Sequence, residues 1–105
     1  MFVNTIEYQA RDQASLTGDY IRLKMTLMKN GVAQTNEEVF DGQSDTMNKR
    51  AWLLSHLRGQ PVDADTLKVE AYDLELPNHV LVVDGREIVI PLTGQLQTRI
   101  YTFPL

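Results

Sequence analysis

The 105-residue chain contains no cysteine, which removes disulfides, thiolate nucleophiles and cysteine-based zinc or iron-sulfur sites. Histidine is nearly as scarce, with His56 and His79 the only two. They fall in separate segments with no HExxH or comparable ligand spacing, so neither a metal nor any other cofactor is expected. The six glycines are scattered and form no phosphate-cradling loop, while Ser15, Ser44 and Ser55 lack a nucleophile-elbow setting. No apolar run approaches the ~20 residues that cross a bilayer, and the opening MFVNTIEYQARDQ lacks the basic start and apolar stretch of a secretory signal. These absences argue for a soluble, cytoplasmic protein without a membrane partner, and they lean away from an enzyme.

What is present is an ordinary globular mixture. Hydrophobic residues make up 43% and charged residues 23%, which sets aside disorder and fibrous architectures and suits a single domain over residues 1–105. The net charge of −4 is unevenly spread: residues 1–60 balance seven acids with seven bases, whereas residues 61–105 hold seven acids and three bases. An acidic second half repels phosphate backbones and argues against nucleic acid as the partner.

Several segments carry the alternation of strands. FVNTIEYQ alternates imperfectly, placing Phe2, Asn4, Ile6 and Tyr8 on one side. YIRLKMTLM is the clearest case, with Ile21, Leu23, Met25 and Leu27 on one face and Arg22, Lys24 and Thr26 on the other. Asn30-Gly31 follows and predicts a tight turn, so a long hairpin is expected from about Tyr20 to Phe40. TLKVEAYDLEL alternates through Ala71 and then slips at Tyr72, which suggests a strand with a bulge, with a short helix from Asp65 as the alternative.

Residues 45–58, DTMNKRAWLLSHLR, read as a helix. Ser44 or Asp45 supplies a cap, Gly59 and Pro61 supply a stop, and Met47, Ala51, Leu53, Leu54 and Leu57 fall within an arc of roughly 160 degrees. The predicted fold class is therefore α+β: a mostly antiparallel sheet, curved, sandwich-like or closed as a small barrel, with one amphipathic helix packed on it.

In VLVVDGREIVIPL, Asp84-Gly85 between two branched apolar runs predicts a two-residue hairpin turn, pairing Val83 with Arg86, Val82 with Glu87, Leu81 with Ile88 and Val80 with Val89. Asp84 then belongs to the turn, and Arg86 and Glu87 point to opposite faces. Leu81 and Ile88 share one face while Val80, Val82 and Val89 share the other, so both faces of the hairpin need cover.

No stretch matches a motif specific enough to import a function. The expected function is a small noncatalytic protein-interaction or assembly module that pairs with copies of itself and with other proteins. Trp52 falls outside the apolar arc, on a helical stripe with Asp45, Lys49 and His56, and serves with Lys49, His56, Val80, Val82 and Val89 as the candidate contact surface. Two alternatives stand beside it. The strand face bearing Tyr20, Arg22 and Lys24 would suit a nucleic-acid accessory protein, and a pocket near Trp52, His56 and Tyr72 would suit a ligand-binding barrel or small enzyme. Asp63 and Asp65 resemble a fragment of a cation loop, but two carboxylates are far short of the ligand set that such a loop needs.

Overall fold

A computed structural model describes residues 1–10, 20–43, 51–53, 60–73, 79–91 and 97–105. In these residues the protein is all β. Two antiparallel sheets pack their apolar faces onto one shared core, as in a sandwich.

The larger sheet is built on β3 (Tyr20–Lys29) and β8 (Thr66–Asp73). β11 (Gln97–Pro104) lies along the outer side of β8, while β4 (Val32–Ala33) and β5 (Glu38–Gln43) pair in turn with β3. The second sheet runs β10 (Arg86–Ile90), β9 (His79–Val83), β2 (Thr5–Ala10) and β6 (Ala51–Leu53). A short pair, β1 (Phe2–Val3) with β7 (Val62–Asp63), lies where β2 and β8 begin.

The core follows from strand periodicity, because alternate side chains leave a strand on the same face. From β3 come Ile21, Leu23, Met25 and Leu27, and from β8 come Leu67, Val69 and Ala71. Ile6 and Tyr8 of β2, Leu81 and Val83 of β9, and Ile88 and Ile90 of β10 face them from the opposite sheet. Tyr101, Phe103 and Leu105 close the margin.

The α+β expectation is corrected here. Ala51–Leu53, the middle of the expected helix, is strand β6, with Thr5 opposite Leu53, Ile6 opposite Trp52 and Glu7 opposite Ala51. Three residues with apolar character satisfy a helical stripe and a short strand alike, and here pairing to β2 supplies the hydrogen bonds that a helix would have made internally. The rest of the predicted helix, 45–50 and 54–58, lies outside the described residues.

Two smaller expectations also change. β8 pairs without interruption to both β3 and β11, so there is no bulge at Tyr72. Tyr72 simply takes an outward position in a regular strand, where it is half-buried. At the N-terminus the phase shifts at Asn4: Val3 is buried and Phe2 is 64% exposed, the reverse of an unbroken strand.

That break is held by the tip of the β9–β10 hairpin. The turn itself has the expected pairing at all four positions, and Asp84 and Gly85 take φ of 45° and 87°, the left-handed angles that a two-residue turn of this kind requires. The Asp84 carboxylate accepts the backbone N–H groups of Asn4 (2.9 Å) and Thr5 (3.0 Å), and the Asp84 N–H donates to the Thr5 carbonyl (3.2 Å). A residue selected for its turn conformation thus also satisfies the amides between β1 and β2.

Asn30 and Gly31 form the matching turn at φ 50° and 76°. The hairpin reaches Gln43 rather than stopping near Phe40, and the pairing moves by two residues between β4 and β5. In that interval the buried Thr35 accepts the Leu27 N–H through Oγ1 at 3.2 Å, replacing a ladder acceptor with a side chain.

Candidate functional site

The outward face of the larger sheet is ordered by register. Across one row lie Asp41, Arg22, Tyr72 and Thr98, and across the next lie Val39, Lys24, Glu70 and Ile100. Six residues from these rows and their margin, Tyr20, Arg22, Lys24, Glu70, Tyr72 and Thr98, line a half-open concavity of about 280 Å³. Three strands contribute to it.

Tyr20 and Tyr72 form its aromatic wall, with ring centroids 6.2 Å apart in edge-to-face geometry. The Tyr20 hydroxyl donates to the Asp41 carboxylate, and that bond, with partial burial and the charge of Asp41, pushes the phenol above its ordinary range. Asp41 is thereby engaged. Lys24 makes a long ion pair with Glu37 at 3.9 Å, whereas the exposed Arg22 guanidinium has no carboxylate within ion-pair distance among the described residues. The cleft therefore offers one unmatched cation, a second cation beside it, the Glu70 carboxylate, and two tyrosine rings. Groups of these kinds can hold and orient a polar ligand through charge, hydrogen bonding and ring stacking.

The structure brings together Tyr20, Arg22 and Lys24 as the strand face anticipated. It adds Glu70, Tyr72 and Thr98, which the sequence reading had not joined to them. The available signal was parity, since Lys68, Glu70 and Tyr72 are the outward set of TLKVEAYD once the supposed slip is removed.

Of the other contact residues, those described are spread over β6, β9 and β10. Trp52 pairs through its backbone with Ile6, so the helical stripe that linked it to Lys49 and His56 does not exist at this position. Lys49 and His56 lie outside the described residues. Val80 is only 4% exposed and is covered within the chain itself, Val82 is half-buried, and Val89 is 58% exposed on the edge strand β10. Of the pocket expected near Trp52, His56 and Tyr72, His56 lies outside the described residues, and Tyr72 lines the cleft with Tyr20.

His79 is buried in the second sheet, with Tyr8 Oη 2.6 Å from its Nδ1 and the two rings stacked. Among the described residues no cluster of three metal-ligating side chains occurs.

Asp63 and Asp65 hold structure. Lys29 hydrogen-bonds Asp63, and this contact keeps the Asp63 carboxyl below its ordinary value of 3.8. Asp65 accepts the Asn30 N–H at 2.9 Å and the Thr66 hydroxyl at 2.9 Å, and the Asn30 bond is the main reason its carboxyl is also lowered. Because the folded-state values lie below the unfolded ones, the stabilisation is present above the ordinary carboxylate pKa and fades as pH falls through the folded values. Urea unfolding below pH 4 is expected to show a shallower acid loss in Asp63→Asn/Asp65→Asn than in the parent chain, and equal slopes would contradict the assignment.

No protein-family model, curated protein or solved structure matches the chain.

Proposed function

We propose that the chain is a small noncatalytic interaction module that assembles with itself by strand addition at β11. The observation carrying this reading is the composition of that edge. β11 pairs with β8 on one side and with no described residue on the other, and it is eight residues long with Arg99 its only charge. Natural edge strands are usually blunted by brevity, several charges, proline or a bulge. Here Pro104, at the end, and the single half-buried charge of Arg99 are what β11 carries of these.

The outward side chains Thr98, Ile100 and Thr102 read the same in both directions. In an antiparallel pair of β11 strands centred on Ile100, each Thr98 meets a Thr102 and the two Ile100 side chains meet at the two-fold axis. Ile100 is 61% exposed in the single chain, and this pairing would bury it while extending the sheet across the two copies. β10 is a weaker edge, being five residues long and beginning with exposed Arg86 and Glu87.

Light scattering across about a hundredfold dilution tests the reading. The expected result is a dimer that Ile100→Lys converts to monomer and that Val89→Lys leaves intact. A monomer at every concentration, or a dimer indifferent to Ile100→Lys, would overturn assembly through β11.

A further inference from the structure

We infer that the cleft on the outer face of the larger sheet binds a free nucleoside monophosphate whose base carries an exocyclic amino group. The proposal rests on complementarity between that ligand's three parts and the three kinds of group in the cleft. Arg22 and Lys24 are two residues apart on β3 and point from the same face. Arg22 has no carboxylate partner among the described residues, so its planar fork of donors is available to a phosphate. Tyr72 lies directly across from Arg22, and Tyr20 supports it edge-on, which offers a platform for a base. Glu70 lies across from Lys24 and accepts hydrogen bonds only, when ionised, so it favours a base that presents N–H groups.

Charge and size select the free nucleotide over a strand. The cations of the face are bordered by Glu37, Asp41 and Glu70, and the chain carries a net charge of −4. A polyphosphate backbone running across this surface would meet those carboxylates repeatedly, whereas a single phosphate needs to be seated only once, on Arg22 and Lys24. The half-open concavity of about 280 Å³ falls just under the ~300 Å³ at which small-ligand sites begin, so it takes at most one such unit.

Isothermal titration of the full chain with AMP, adenosine, UMP and a short single-stranded oligoadenylate tests each part. AMP is expected to bind, adenosine and UMP more weakly, and the oligonucleotide no better than AMP. Arg22→Met should weaken AMP by roughly 10- to 100-fold, the loss typical of a charge-assisted hydrogen bond. Tyr72→Leu should weaken it by about fivefold or more, and Glu70→Gln should reduce the preference for AMP over UMP. Both Arg22 and Tyr72 face outward, and unchanged thermal unfolding of the variants would show that the fold is retained. If a variant unfolds, line broadening or shifts of the Tyr20 and Thr98 amide signals on adding AMP to the parent chain provide the independent readout. No AMP binding at millimolar concentration, adenosine binding equal to AMP, or tighter and strongly salt-dependent oligonucleotide binding would each overturn the proposal.

Discussion

Leu23→Ala is expected to lower the unfolding free energy by about 2–5 kcal/mol, the range for removing a buried leucine side chain without collapse of its surroundings. Leu23 is fully buried and lies between Phe40 of β5 and Ala71 of β8 in the larger sheet. Ala71 is too small to fill the space that the substitution leaves. Lys24→Ala, one position further along the same strand, should change stability by no more than about 0.5 kcal/mol, because Lys24 faces outward and its ion pair with Glu37 is long. Urea denaturation of the two variants measures the contrast. Comparable losses at both positions would mean that β3 does not present one face to the core.

The second large effect concerns Tyr8 and His79. Both are buried, at 0% and 1% exposure, and a hydrogen bond of 2.6 Å joins Tyr8 Oη to His79 Nδ1. Tyr8→Phe keeps the ring and removes the hydroxyl, which withdraws this partner from a buried polar atom and should cost about 1–3 kcal/mol. His79→Phe does the same from the other side. The double variant should cost less than the sum of the singles, since the hydrogen bond between them is lost once rather than twice, with a coupling of roughly 0.5–3 kcal/mol. Additive losses in the double-mutant cycle would show that the two groups act independently.

These two positions also mark where the sequence was legible and where it was not. Leu23 was readable because Ile21, Leu23, Met25 and Leu27 alternate with polar residues over a length that only a half-buried strand explains. The Asp84-Gly85 hairpin was readable to the individual pair, since a two-residue turn determines its register. Tyr8 and His79 were not readable as partners: they are 71 positions apart, and nothing local to either indicates that β2 and β9 are neighbours. The misread helix has a related cause. Ala51–Leu53 has no strand signature of its own and becomes a strand by pairing with β2, so its state is decided by a segment more than forty residues away. The binding cleft was half visible for the same reason. Tyr20, Arg22 and Lys24 share a strand, while Glu70, Tyr72 and Thr98 reach them only through the order of strands in the sheet.

The carboxylate of Asp84, which grips Asn4 and Thr5 from about eighty positions away, bears on how the chain is made. As the polypeptide leaves the ribosome, β2 comes before both of its neighbours, β6 and β9. Until the hairpin carrying Asp84 has followed, the strand bearing Ile6 and Tyr8 has one flank without a partner and nothing to fasten its entry. Distant pairings of this kind slow folding and prolong the interval in which apolar strands stand open to other nascent chains. The clasp that locks the finished sandwich therefore arrives long after the strand it fastens, and a chain halted before residue 84 would leave β2 adhesive along that flank.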